Sequence, residues 1–164
     1  MADVVDRHGG RRLRTSAWAL TAAVVAVVVL ADQLSKRAVE RSITRGEERR
    51  LLPGIQLIDT RNHGVAFGLL PGEQAIVTIL IVLALLLLIV YFARHSDYPW
   101  IWLPTGMLIG GALGNILDRV RHGSVTDFVK LPLGWPPFNL ADLSITLGIV
   151  ILFLVVDNAR RAER

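Results

Sequence analysis

The stretch QAIVTILIVLALLLLIVYFA, Gln74 to Ala93, holds 20 residues without a charge and includes four consecutive leucines, Leu85 to Leu88. A helix rising about 1.5 Å per residue needs about 20 apolar residues to cross a hydrocarbon core roughly 30 Å thick. This block therefore predicts a membrane span, and the rest of the chain repeats it. Thr15 to Ala31 gives 17 uncharged residues and Tyr98 to Leu117 another 20. Leu143 to Val156 gives 14, which reaches spanning length only if Leu140, Ala141 and Asp142 join it. The expected spans are residues 15–35, 74–93, 99–118 and 140–157, separated by larger loops at 37–72 and 120–138. The fold class read from this pattern is an all-α membrane protein, four transmembrane helices in a single integral domain over 1–164, with a small β element outside the bilayer.

The composition is consistent with that reading. The chain has 164 residues, 52% hydrophobic and 20% charged, with a formal charge of +4 and no cysteine. So much apolar surface excludes a disordered chain. The missing cysteine excludes disulfides, thiol catalysis and Cys-ligated metal sites. The basic balance does not point to nucleic acid, because the charges are segregated into loops between apolar blocks. Basic residues Arg11, Arg12 and Arg14 before the first block resemble a cleavable leader. The block is too long for that, and it runs into Asp32-Gln33-Leu34-Ser35-Lys36 with no small-x-small cleavage site.

Aromatic residues fall near block ends, where interfacial belts form: Trp18, Tyr91, Phe92, Tyr98, Trp100 and Trp102 on one side, Trp135 and Phe138 on the other. Lys and Arg number eight on the side of the termini and ten on the other. The positive-inside rule therefore leaves orientation undecided. Residues 37–50 read as a solvated Arg/Glu-rich stretch or short helix. Residues 51–70 read as short strands, at Ile55–Ile58 and again at Val65-Ala66-Phe67, broken by Pro53-Gly54 and Asn62-His63-Gly64.

Ionisable residues at membrane depth are costly and are functional candidates by default. Here they converge on one face. The first block ends in Asp32 and Lys36, at i and i+4 on one helical side and able to pair. The third ends in Asn115, Asp118 and Arg119, and Asp118–Arg119 reads as a second structural pair. The fourth opens with Asn139 and Asp142, and the adjoining loops add Asn62 and Asp127. Gly106, Gly110 and Gly114 recur every fourth residue, the spacing of a close helix contact. His63 and His122 stand alone in loops without a metal-ligand spacing, so neither a metal nor a cofactor is expected.

Asp127 and Asp142 are set apart from Asp32 and Asp118: Asp142 has no basic residue at helical pairing distance, and Asp127 has only Lys130. Two carboxyls in apolar surroundings tend to hold one proton between them, since like charges a few Å apart resist double ionisation. Such a pair can work as general acid and base on one centre. Spacing alone leaves several pairings of the four aspartates open.

At these residues the chain resembles the bacterial signal peptidase II family, the lipoprotein signal peptidases. The family pattern Asp-Gln-x-x-Lys is matched by Asp32-Gln33-Leu34-Ser35-Lys36. Asn-x-Gly-x-Ala-Phe is matched by Asn62-His63-Gly64-Val65-Ala66-Phe67, and Gly-Asn-x-x-Asp-Arg by Gly114-Asn115-Ile116-Leu117-Asp118-Arg119. Val-x-Asp-Phe is Val125-Thr126-Asp127-Phe128, and Phe-Asn-x-Ala-Asp is Phe138-Asn139-Leu140-Ala141-Asp142. The five motifs occur in order between residues 32 and 142.

The resemblance implies an aspartyl endopeptidase of the bacterial cytoplasmic membrane, with both termini in the cytoplasm and the active site and β element at the outer face. It would cut prolipoproteins just before a cysteine that already carries a diacylglyceryl group. Asp127 and Asp142 would be the catalytic pair. Asn62, Gly111, Asn115, Arg119, Asn139 and Ala141 would line the site or hold substrate, and Asp32, Lys36 and Asp118 would support it. Its partners would be the lipidated substrate and membrane lipids, and a monomer is expected. Three rivals compete. A proton-coupled transporter usually carries its acids near the bilayer midplane in repeated broken helices, whereas here they lie at block ends without a repeat. A purely structural membrane protein does not account for clustered Asn, Asp and Arg. A Ser–Lys peptidase needs a facing pair, and Ser35 and Lys36 are adjacent.

Overall fold

The computed structural model describes residues 3–63, 74–132 and 134–162. Helix α1 runs Asp3–Ser42, the strands β1 and β2 are Glu48–Leu52 and Ile55–Asn62, and α2 is Gln74–His95. Then come α3 at Trp102–His122, strand β3 at Val125–Lys130, and α4 at Leu140–Ala162. The expected strand Val65–Phe67 and the loop from Gly64 onward lie outside the described residues.

Two expectations change. Residues 37–42 continue α1 instead of starting a separate surface stretch, because no Gly or Pro interrupts the chain from Arg11 to Ser42. The helix stops where Ser42 Oγ turns back to the Ala38 carbonyl at 2.8 Å and Gly46 takes a positive φ of 82°. Second, Asn62 and Asp127 are strand residues, not loop residues. The three strands form one antiparallel sheet in the order β1-β2-β3. Its outer pair is set by the register Thr60↔Asp127, Arg61↔Thr126 and Asn62↔Val125. Phe138 adds a bridge to Val129 and so ties the approach to α4 onto the sheet.

Stretches Thr15–Ser42, Thr78–His95 and Leu140–Arg161 are long and apolar enough to cross a membrane. Helix α3 is not among them, for a physical reason. Its buried positions are Pro104, Thr105, Gly106, Gly110, Gly111, Ala112, Gly114, Asn115 and Asp118, and it packs on α1, α2 and α4. A helix covered by its neighbours need not carry a lipid-compatible surface. The glycine stripe faces α1: a Cβ on Gly106 would stand 2.6 Å from Val24 Cβ, and one on Gly110 2.8 Å from Val28 Cβ. Helix α3 ends at Gly123, whose φ of 66° allows its N–H to cap the Arg119 carbonyl at 2.9 Å.

Two apolar clusters bracket the polar residues. Ala17, Phe92 and Ile101 are buried at one end, with Tyr91, Tyr98 and Trp102 packed on them. Phe92 is fully buried and meets Trp18 edge-on with ring centres 4.7 Å apart, so it is a core residue and not a belt residue. Val39, Ile43 and Phe128 form the other cluster, where α1 meets the sheet.

Candidate active site

The start of α4 is built by a reciprocal cap. Asn139 Oδ1 accepts from the Asp142 amide at 2.9 Å, and the Asn139 amide donates to Asp142 Oδ2 at 3.2 Å. This is the capping-box geometry with Asn and Asp in the two roles, and it satisfies first-turn amides that the helix leaves unpaired. A third such amide, on Ala141, donates to Asp32 Oδ1 at 3.0 Å. The sequence pattern Asn-x-x-Asp thus fixes the Asp142 carboxyl against the helix end, where Asn115 Nδ2 reaches its other oxygen at 2.8 Å.

Asp127 comes to the same place from the sheet. It is 2% exposed. Asn62 Nδ2 donates to its Oδ2 at 3.1 Å and Asn139 Nδ2 to its Oδ1 at 2.6 Å. Asn139 therefore holds both aspartates, Asp127 by its side-chain amide and Asp142 by its backbone N–H. Burial, and after it the charge of Asp142, push the Asp127 carboxyl up to about 7 against the lowering pull of the Asn62 and Asn139 donors. Arg119 donates to the Asn115 carbonyl at 3.5 Å and lies within electrostatic reach of Asp142, Asp127 and Asp118.

Beneath this pair sits a closed charge cluster. Lys36 Nζ has three donors and meets three acceptors: Asp32 Oδ2 at 2.8 Å, Asp118 Oδ2 at 2.9 Å and Asn115 Oδ1 at 3.1 Å. The helical pairing of Asp32 with Lys36 is as the spacing predicts. Asp118, however, pairs with Lys36 and not with Arg119, because consecutive helical residues point about 100° apart. Asp118 also takes the Thr126 amide at 3.2 Å and Gln33 Nε2 at 2.9 Å, which links the cluster to the strand that carries Asp127. Gly114 leaves room for Asp32, whose Oδ2 would stand 2.6 Å from an added Cβ. Gly111 and Ala141 meet in the α3–α4 contact, where a Cβ on Gly111 would stand 2.6 Å from the Ala141 carbonyl oxygen.

The structure thus brings Asn62, Asn115, Asp127, Asn139 and Asp142 into one network, with Asp32, Lys36 and Asp118 below it. Sequence reasoning missed Gln33, Glu40, Arg61 and Thr126. Gln33 and Thr126 lie inside the Asp-Gln-x-x-Lys and Val-x-Asp-Phe motifs. Glu40 has a detectable signal, since it follows Lys36 by four residues and shares its helical face. Arg61 has none without the strand register. Among the described residues there is no group of three or more His, Cys, Asp or Glu able to hold a metal ion.

Fold and site together define a helical membrane enzyme, and known structures agree. One solved bacterial membrane enzyme superposes with a TM-score of 0.81 at 26% identity, over 88% of this chain and 91% of that one. A second gives 0.76 at 28%, over 83% and 91%. Residues 24–157 match the family model described as signal peptidase (SPase) II. The lipoprotein signal peptidase of Syntrophomonas wolfei is 41% identical over 84% of this chain and 93% of its own. Those of Halothermothrix orenii and Pelotomaculum thermopropionicum are 36% and 39% identical, over 80% and 86% of this chain and 90% and 96% of theirs. The chain belongs to the signal peptidase II family; it is a peptidase, and a membrane protein.

Proposed function

We propose that this peptidase is an aspartyl endopeptidase that removes signal peptides from diacylglyceryl-modified prolipoproteins, cutting just before the lipidated cysteine. The observation that carries the reading is Asn139 bonded to both carboxyls, at 2.6 Å to Asp127 and 3.2 Å to Asp142. Asp127 and Asp142 hold one proton between them. The ionised member takes a proton from a water molecule, whose oxygen bonds to the scissile carbonyl carbon. The protonated member donates to the carbonyl oxygen as it gains charge. The tetrahedral adduct then collapses, the C–N bond breaks, and the proton taken from water passes to the departing amine of the cysteine. Asn62, Asn115 and Asn139 keep both carboxyls aimed, Arg119 serves the substrate side, and the Asp32–Lys36–Asp118 cluster holds the helices that carry them.

Four spans fit this reading, with α3 as the covered central helix: its 21 residues extend about 31 Å at the usual helical rise. The termini lie in the cytoplasm and the sheet with the aspartates at the outer face, where a lipid-anchored substrate presents its cleavage site. The working unit is a monomer. The test is to digest matched prolipoprotein peptides, with and without the diacylglyceryl group, and map the products by mass spectrometry. A single cut before the modified cysteine, with the bare peptide slow, is the expected result. Equal cutting of both peptides, or cutting elsewhere, overturns the substrate assignment.

A further inference from the structure

We infer that Glu40, Arg61 and Thr126 form a positioning clamp that sets where Asp127 stands, a role that rests on the aspartyl reading above. The three side chains close a ring. Arg61 Nη1 donates to Thr126 Oγ1 at 2.6 Å, Thr126 Oγ1 donates to Glu40 Oε1 at 2.8 Å, and Arg61 Nη2 meets the same Glu40 oxygen at 2.9 Å. Thr126 is fully buried. Because side chains alternate across a strand, Thr126 points to the face opposite Asp127, and the ring grips the strand from behind the carboxyl.

The Thr126 backbone is held as well. Its amide donates to Asp118 Oδ2 at 3.2 Å and its carbonyl accepts from Asn139 Nδ2 at 3.3 Å. The residue just before Asp127 is thereby tied to α1, β2, α3 and the residue that caps α4 at once. Arg61 lies opposite Thr126 in the strand register, and the next residue, Asn62, donates to Asp127. One ring therefore fixes both the carboxyl and its donor.

The Arg61–Glu40 pair is partly buried, with side chains 16% and 26% accessible. Its value is directional, because a guanidinium presents its N–H groups in one rigid plane, whereas a lysine ammonium is a point charge on a flexible stem. Behind it, Asp59 Oδ1 stands 4.0 Å from Arg61 Nε, and neither atom has a hydrogen-bond partner among the described residues. The orientation of Arg61 thus depends on Glu40 and Thr126. A misplacement of about 1 Å at a reacting group can cost about a hundredfold in rate.

The experiment measures kcat and KM separately on a diacylglyceryl prolipoprotein peptide, using purified full-length enzyme in micelles. Thr126→Val keeps the shape and removes the hydroxyl; it should lower kcat about tenfold or more with KM within about twofold. Thr126→Ser should restore kcat, Arg61→Lys should not, and Arg61→Gln with Thr126→Val should be no slower than the slower single variant, since both open the same ring. Wild-type kcat in folded Thr126→Val, a loss confined to KM, or losses that multiply would each overturn the clamp. If Thr126→Val does not fold, Glu40→Gln carries the same expectation: a kcat loss that Arg61→Gln does not deepen. Asp127→Asn separates the two levels. Turnover retained there overturns the aspartyl reading itself, whereas its loss beside a full-rate Thr126→Val overturns the clamp alone.

Discussion

Asp127 is an ordinary acid in sequence and an unusual one in place. Its surroundings lift its carboxyl from 3.8 to about 7, so Asp127 keeps its proton through the acidic range and loses it near neutrality. Peptidase activity should therefore fall as pH rises through about 7, because double ionisation removes the group that donates to the substrate carbonyl. A kcat/KM profile in constant ionic strength checks this, and an activity still climbing well above pH 8 contradicts it. Asp142 was legible in sequence as an acid without a neighbouring cation, and both aspartates were legible through the motifs that hold them. Their meeting was not, because it depends on Asn139, whose two amides serve different carboxyls. Nor was the partner of Asp118, since adjacency to Arg119 suggests a bond that helical geometry denies.

Among the elements, α3 was the most legible and β3 the least. The four-residue glycine spacing foretold a close helix contact, because helix packing is local in register, though not that α1 supplies it. Strand β3 exists only through pairing with β2, some 65 residues earlier, and short Val125–Lys130 carries no signal of that partner. The long α1 was cut short in sequence because charge at Arg37–Arg41 resembles a loop, although nothing there breaks a helix. Lys36 joins α1 to α3 and, through Asn115, to the start of α4. Lys36→Met leaves Asp32 and Asp118 buried without their cation and should cost about 3–5 kcal/mol, read as a large fall in thermal unfolding temperature in micelles. A Tm within a degree or two of wild type would refute the cluster's role. Gly111→Ala puts a methyl against the Ala141 carbonyl backbone, which cannot yield, and should cost about 1–3 kcal/mol. The same assay checks it, with no change as the contrary result.

At the scale of the molecule, a polar network lies between an apolar cluster at Phe92 and another at Phe128, with apolar helix faces outside. The membrane character was plain from segregation of charge, since spans of uncharged residues need no tertiary information. Orientation was not, because the two sides carry nearly equal numbers of Lys and Arg. In the topology proposed above, the sheet lies outside the cell and the α2–α3 turn inside. The native chain has no cysteine, so single substitutions report cleanly: Arg49→Cys on β1 should react with an impermeant maleimide in intact cells, and Asp97→Cys should react only after lysis. The reverse pattern would invert the topology.

The proposed action of Asp127 and Asp142 as one catalytic pair is tested by single-turnover cleavage of a diacylglyceryl prolipoprotein by the wild type, Asp127→Asn and Asp142→Asn. Each variant keeps the shape and hydrogen-bonding size of the carboxyl while removing its ability to exchange a proton. Both should fold, bind substrate and lose activity by at least about a thousandfold, on the scale seen when a member of a catalytic unit is removed. Turnover within about tenfold of wild type in either folded variant would rule out that pairing.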